Sequence, residues 1–169
     1  AYQDFWSGKP KNQRWFYKIL SRLIAPLSEC VFNNAHTIPV YRDKRVFETF
    51  DISIDILNRG GNIIIFPEKY DEYNNIVHDF QSGFVDLAKR YYRKNKKEIA
   101  FVPMYVCPFL KRLVVGKPIY YDPKEKIQNE KIRICSYLKD EITNMAVKLP
   151  RHKVVPYPNI SKKDYGYNR

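Results

Sequence analysis

Apolar residues recur at helical spacing in four stretches of the chain. In the first, residues 8–32, lysine and arginine fill much of the opposite face, and Pro26 is expected to end or kink the helix. The same period returns in three later stretches, at residues 46–57, 83–92 and 125–147. Gly60-Gly61 follows the second of these as a helix stop signal. The pattern therefore predicts four amphipathic helices.

Two long apolar runs predict buried strands. Ile63-Ile64-Ile65-Phe66 is unbroken up to Pro67, and a second run covers 99–106, with a shorter strand predicted at 113–115. An unbroken run of this kind is typical of a strand buried on both faces, as in a parallel sheet. Together with the helices, the runs predict an α/β fold, a single domain with a mostly parallel central sheet flanked by helices.

The length of the chain fits one such domain, and its charge narrows the class of partner. The chain has 169 residues, which we assign to a domain over 1–149 and a basic, Pro- and Tyr-rich tail over 150–169 without regular structure. Thirty Lys+Arg against eighteen Asp+Glu give a net charge of +12. This excess suits a nucleic acid, an anionic membrane surface or a phosphorylated substrate.

Several classes of protein are excluded by the cysteines and by the lengths of the apolar runs. The three cysteines, Cys30, Cys107 and Cys135, include no CxxC pair, which excludes a disulfide framework and a cysteine zinc site and favours a reducing cytosolic setting. No apolar run approaches the roughly 20 residues that a membrane span requires. No phosphate-loop glycine pattern or cluster of metal ligands is present, so we expect neither a metal nor a bound cofactor.

Glu68 is the first candidate site residue, because it follows the predicted strand at 63–66 directly. The carboxyl ends of parallel strands open onto the crevice in which α/β proteins bind ligands. A carboxylate at this place is suited to accept a hydrogen bond from a hydroxyl or to orient a cation. The alternative is that Glu68 is simply a loop acid on a basic protein.

The residues around Glu68 resemble the FPEG block of the glycerophospholipid acyltransferase family, which includes the lysophosphatidic acid acyltransferases. Four further segments are similar to other blocks of that family, in the same order. They are His36–Arg42 for GxIxxxR, Phe80–Ala88 for FxxGxxxxA, Val102–Tyr105 for VPV and Val115–Ile119 for GxPI. Each block alone is weak, and their order over residues 36–119 makes the set more specific than any one of them.

The resemblance implies transfer of a fatty acyl group in phospholipid biosynthesis. The donor would be acyl-CoA or acyl carrier protein, and the acceptor the hydroxyl of a lysophospholipid such as 1-acylglycerol-3-phosphate. By position, Arg42 would pair with the phosphate of the acceptor, since a guanidinium matches phosphate oxygens. Glu68 would bind the glycerol portion or hold its loop in place. Lys69, which we add from its position beside Glu68, would supplement the phosphate contact.

The sequence also departs from the family. Lys69-Tyr70-Asp71 stands where the family has Gly, Thr and Arg, and His36 stands where it has Gly. The catalytic His and Asp of the family, separated by four residues, are absent, because none of His36, His78 and His152 has an Asp five positions later. The motif would fall at or before residue 1. We therefore expect the N-terminal part to be missing from this chain, which by itself would be inactive.

The basic surfaces predict a peripheral position on the cytoplasmic face of a membrane, with docking through the first helix. The alternative for this helix is that its apolar side packs on the core and its basic face is solvated. One alternative is a non-catalytic domain that binds lipid phosphate or an anionic membrane and has lost the base. A second is a basic nucleic-acid-binding domain, suggested by the cations and aromatic residues interleaved over 89–94. Such a helical run is more often a solvated face or an anionic-lipid contact, so no nucleic-acid partner is expected.

Overall fold

The computed structural model describes residues 10–40, 45–69, 76–155 and 161–167. In these ranges it has four α-helices: α1 (Arg14–Asn34), α2 (Val46–Asn58), α3 (Phe84–Asn95) and α4 (Ile127–Lys148). The same ranges contain four short strands: β1 (Ala100–Phe101), β2 (Met104–Cys107), β3 (Arg112–Val115) and β4 (Ile119–Tyr120). The chain divides within α2 into an N-terminal unit, residues 1–52, and a C-terminal unit, residues 53–169.

The four predicted helices are confirmed, with shifts of a few residues at their ends. α1 continues through Pro26 to Asn34, so this proline does not end the helix. A proline lacks the N–H that would bond the carbonyl four residues earlier, yet the turns on either side keep their own bonds. α2 stops just before Gly60-Gly61, as predicted, and Gly60 adopts φ 79°, the left-handed conformation that glycine adopts at low cost.

α4 organises the core of the C-terminal unit. Its first half packs against α3 and the β4 region, through a cluster of buried residues: Val85, Ala88, Ile119, Tyr121, Ile134 and Leu138. Its second half packs against one face of the β2–β3 hairpin, where Met145 and Ala146 meet Tyr105 and Cys107. One helix therefore holds both small sheets of this unit.

The β2–β3 hairpin leaves its other face bare. Met104 pairs with Val115, and Val106 pairs with Leu113. Because alternate side chains of a strand point to opposite faces, these four residues share the face away from Tyr105 and Cys107. All four are exposed. The hairpin is thus apolar on both faces and covered by α4 on one.

Pro103 divides the strand that the sequence predicts over residues 99–106. A proline cannot donate to a ladder, and here its carbonyl instead accepts the N–H of Gly116 at 2.9 Å. The chain before it, β1, pairs with β4, and the chain after it, β2, pairs with β3. The predicted single strand is therefore two strands in separate sheets.

The predicted α/β fold with a mostly parallel central sheet is wrong. Both sheets in the described residues are two-stranded and antiparallel. The run Ile63–Phe66, predicted as a buried strand, has no regular secondary structure, and Ile64 and Phe66 are 73% and 85% exposed. An unbroken apolar run favours burial, but a buried strand also needs neighbouring strands as hydrogen-bond partners. None of the described strands pairs with this run.

The described residues of the predicted tail contact one another, and His152 contacts Tyr105 of β2. A 3₁₀ helix covers Lys162–Asp164, and Lys153 forms an antiparallel bridge with Tyr167. The cations of Arg151 and Lys153 lie 4.8 and 5.3 Å from the centre of the Tyr167 ring. These contacts are within the range of cation–π attraction.

Candidate functional site

The residues around Glu68 form a loop whose two ends are clamped together. Glu68 forms an antiparallel bridge with Phe80. The N–H of Lys69 donates to the carbonyl of Asp79 at 2.7 Å, and the N–H of Gln81 donates to the carbonyl of Pro67 at 2.8 Å. These bonds fix residues 67–69 beside residues 79–81, so the predicted site residues Glu68 and Lys69 lie on an ordered base. We call this segment, residues 67–81, the Glu68 loop; its residues 70–75 lie outside the described part.

The Glu68 carboxylate is oriented by the backbone of its own loop. Oε1 accepts a hydrogen bond from the N–H of His78 at 2.7 Å, and the Glu68 side chain is half-buried. A hydrogen bond to an ionised acceptor is stronger than one between neutral groups. Because a carboxylate has about four acceptor positions, the bond to His78 leaves capacity for a hydroxyl donor. The resemblance implies two roles for Glu68, to bind the glycerol portion or to hold its loop in place. The hydrogen bond from His78 directly supports the second role.

An ion pair connects the Glu68 loop to α4. Nζ of Lys139 lies 2.6 Å from Oδ1 of Asp79. The hydrogen bond and positive charge of Lys139 hold the pKa of Asp79 below its usual value, and the charge of Lys69 adds to this effect. Lys69 and Lys139 therefore both lie within electrostatic reach of the same carboxylate. Since the pair is exposed, we expect it to contribute little to the stability of the fold.

The face of α4 that borders the loop carries two lysines eight residues apart, with Cys135 between them. Lys131, Cys135 and Lys139 share this face, since residues four apart are neighbours on a helix. Burial raises the pKa of the Cys135 thiol, while the charges of Lys69 and Lys131 act in the opposite direction. Lys131 pairs with Asp86 of α3 at 2.7 Å. The site therefore contains the Glu68 carboxylate and, in the same loop, the Asp79 carboxylate, which lies near the ammonium groups of Lys69 and Lys139.

Arg42, the third predicted site residue, lies outside the described residues. Its predicted contact with the acceptor phosphate remains a prediction. Sequence reasoning did not identify Lys139, because it lies 60 residues from Asp79 and no local pattern connects them. The neighbouring residues His78 and Asp79 differ in environment, since the histidine is buried and the aspartate is exposed.

A second charged cluster lies at the start of α4 and is structural. Glu130 is fully buried, and its carboxylate accepts two bonds from Arg133, at 2.6 and 2.8 Å. It also accepts the N–H of Asp122 at 2.7 Å, and Arg133 donates to the carbonyl of Tyr120 at 2.6 Å. The bonds from Arg133 are the main cause that holds the pKa of Glu130 below its usual value. This network fixes α4 to the end of β4.

The part of the chain that the structure describes contains no group of three or more His, Cys, Asp or Glu residues able to hold a metal ion. It also contains no helix long and apolar enough to cross a membrane. Comparison of the chain with known protein families, with curated proteins and with solved structures gives no match in any of the three. The functional reading therefore rests on the sequence blocks and the geometry above.

Proposed function

We propose that this chain takes part in acyl transfer from a thioester donor, acyl-CoA or acyl carrier protein, to a lysophospholipid hydroxyl, as with 1-acylglycerol-3-phosphate. The hydroxyl oxygen forms the new ester bond, the carbon–sulfur bond of the thioester breaks, and the hydroxyl proton ends on the released thiol. The Glu68 loop is the proposed acceptor site. The support for this proposal is the set of ordered sequence blocks and the geometry of this loop, and it does not depend on the parallel sheet that the apolar runs predict.

The observation that carries the proposal is the Glu68 carboxylate, which the N–H of His78 holds in a loop whose Asp79 lies within reach of Lys69 and Lys139. A lysophosphatidate presents a hydroxyl, which donates hydrogen bonds, a few bonds away from a phosphate, which accepts them. Glu68 is held by the His78 N–H at 2.7 Å and is suited to accept from the hydroxyl. The ammonium groups of Lys69 and Lys139 are suited to the phosphate, as point charges with several donors.

Glu68 acts in this scheme as a positioning residue for the acceptor. Of the histidines in the C-terminal unit, His78 and His152 are both buried. We therefore assign neither as the general base that removes the hydroxyl proton. The proposed location is peripheral, on the cytoplasmic face of a membrane, where a net charge of +12 favours contact with anionic lipid.

A second candidate is a non-catalytic domain that binds lipid phosphate or an anionic membrane. The observation favouring it is that none of the three histidines has an Asp five positions later, so the usual base pair of the resembled family is absent from this sequence. The same Glu68 loop would then bind the lipid without turnover.

The deciding experiment combines binding with turnover. Titration calorimetry of the full chain with a short-chain lysophosphatidate below its micelle concentration should give saturable binding. Glu68→Gln should weaken it about tenfold, as expected for loss of a charged hydrogen-bond acceptor. The matched control is Glu125→Gln, at an exposed carboxylate before α4, which should leave binding unchanged.

Acyl transfer is then measured on the protein isolated from its source cells, with radiolabelled acyl-CoA and acyl carrier protein as alternative donors. Binding together with formation of phosphatidate supports the enzyme. Binding without product supports the non-catalytic candidate. Absence of saturable lysophosphatidate binding would overturn both.

A further inference from the structure

α1 exposes a continuous row of apolar side chains. The row consists of five residues at intervals of four, all more than half exposed: Trp15, Ile19, Leu23, Leu27 and Val31. Residues four apart are neighbours on a helix, and each step turns about 40° around it, so the five residues form one broad apolar side about 160° wide. From its first to its last residue it is about 24 Å long, at 1.5 Å per residue. Phe16, beside this row, is also exposed.

A basic row borders this apolar row. Arg14, Lys18 and Arg22 each precede a member of the apolar row by one position, which places them about 100° around the helix. Lys11 continues the cations towards the N-terminus, and Glu29 is the single acidic residue in the sequence of α1. The helix therefore carries an apolar row and a basic row side by side.

We propose that α1 lies in the interface of an anionic lipid bilayer, with the apolar row turned towards the acyl chains and the basic row at the headgroups. An amphipathic helix with cations on its polar face binds in this way, with its apolar side buried about 5–10 Å below the headgroups. Each cation near an anionic surface adds about 1 kcal/mol of attraction.

The positive charge of the chain favours an anionic bilayer over a second copy of the chain as the partner of this face. A second copy of the chain carries the same net charge of +12 and would bring one basic row against another. An anionic bilayer supplies the opposite charge along the whole helix and an apolar layer directly beneath it. Trp15 has an amphipathic indole, of the kind enriched at membrane–water interfaces. The inference deepens the proposed function, on which it rests for the peripheral membrane location, by naming the element that contacts lipid.

Vesicle sedimentation with the full chain tests this inference. The probes are sucrose-loaded vesicles of phosphatidylcholine alone and of phosphatidylcholine mixed with phosphatidylglycerol. We expect binding to the mixed vesicles that weakens as salt is raised, and little binding to phosphatidylcholine alone. The double variant Leu23→Gln/Leu27→Gln should weaken binding at least about tenfold, since two leucines no longer enter the acyl region.

A matched control and a depth probe make the result specific. Ile132→Gln changes an exposed apolar residue of α4, 72% exposed against 70% for Leu23, and should leave binding unchanged. With Trp6 replaced by Phe, Trp15 is the one tryptophan. Its emission should then shift to shorter wavelength on vesicles and be quenched by lipids brominated on the acyl chain. Circular dichroism checks that the variants keep their helix content.

The experiments distinguish failure of the lipid contact of α1 from failure of the proposed acyl transfer. No binding to anionic vesicles, or binding that the leucine double variant leaves unchanged, would overturn the lipid contact. Loss of self-association in that variant, by sedimentation equilibrium, would overturn it in favour of a second copy. Glu68→Gln should keep vesicle binding unchanged while weakening lysophosphatidate binding about tenfold. If the chain binds vesicles but no lysophosphatidate, the proposed function fails and the α1 contact stands.

Discussion

The phenolic oxygen of Tyr105 lies 2.8 Å from Nε2 of His152, and both side chains are buried. Nδ1 of the same histidine lies 2.8 Å from the carbonyl oxygen of Pro150. A carbonyl oxygen only accepts, so Nδ1 carries a proton, and in this Nδ1–H tautomer Nε2 accepts from the Tyr105 hydroxyl. One tyrosine of β2 thereby fixes the segment that follows α4.

Replacing Tyr105 by Phe removes the donor to Nε2 while keeping the ring. We expect Tyr105→Phe to lower the free energy of unfolding by about 1–2 kcal/mol, because a buried acceptor loses its hydrogen bond. Urea unfolding measures the change. Tyr120→Phe, at an exposed tyrosine of β4, is the control and should change stability by less than about 0.5 kcal/mol. Equal losses in both variants would contradict the role given to this contact.

The same tyrosine makes stability depend on alkaline pH. Burial, with a smaller contribution from Cys107, raises the pKa of Tyr105 from 10.0 to about 12. In the unfolded chain the phenol loses its proton near pH 10, whereas the folded state retains it. The stabilisation is therefore fully present below pH 10 and is lost as pH rises towards 12.

The size of this alkaline loss is at most about 3 kcal/mol, at 1.36 kcal/mol for each unit of pKa. Urea unfolding at a series of pH values from neutral to strongly alkaline measures it. Other groups titrate in the same range, so the difference between the wild type and Tyr105→Phe isolates Tyr105. Parallel curves for the two proteins over that range would contradict the prediction.

Glu130→Gln tests the buried network at the start of α4. The substitution keeps the shape of the side chain but removes the charge that Arg133 contacts at 2.6 Å. Glu130 is buried but Arg133 is 45% exposed, so we expect a loss of about 1–3 kcal/mol in the free energy of unfolding, as for a buried acceptor whose charged hydrogen bonds are weakened. Glu125→Gln, at an exposed carboxylate, should change it by less than about 0.5 kcal/mol.

The acid dependence of stability should change in the same variant. Since the pKa of Glu130 is held below its usual 4.5, its contribution is present above pH 4.5 and is lost as pH falls through the lower folded value. Glu130→Gln should therefore lose less stability than the wild type on acidification. If Glu130→Gln lost as much stability on acidification as the wild type, the prediction would be wrong, and other residues would cause the acid sensitivity.

Gly116→Ala should destabilise the junction between β3 and α4. A Cβ at this position would lie 2.8 Å from Cγ of Pro103 and 3.3 Å from Sδ of Met145. Overpacking of this kind costs about 1–3 kcal/mol. Gly83→Ala is the matched control, because a Cβ there meets nothing within 4 Å, and we expect it to be neutral or slightly stabilising. Thermal unfolding of the two variants side by side measures the difference.

The helices could be predicted from the sequence because their signal is local. The period of apolar residues and the Gly60-Gly61 stop lie within the segments that they describe. The sheets could not, because a strand is defined by a partner far along the chain. Pro103 was a local signal against a single strand over residues 99–106, since a proline inside an apolar run argues against a central strand. The antiparallel pairing that resulted is a property of the turn at 108–111 and of the distant β4.

The candidate site, like the fold, could be predicted only in part. Glu68 and Lys69 were found because they follow a conspicuous apolar run and an FPE block. Lys139 and the backbone donor of His78 were not found, since both contacts arise only once the chain folds. Glu130 did have a local signal, an Arg three residues later on the same helix, which sequence reasoning passed over.

The bare face of the β2–β3 hairpin has a consequence for the colloidal behaviour of the protein. At neutral pH a net charge of +12 keeps copies apart, so their apolar hairpin faces rarely meet. Near the isoelectric point of about 9.5 that repulsion vanishes, and high salt screens it at any pH. Solubility should therefore be lowest in alkaline, salt-rich buffer, and storage at mildly acidic pH and low salt should preserve the monomer longest.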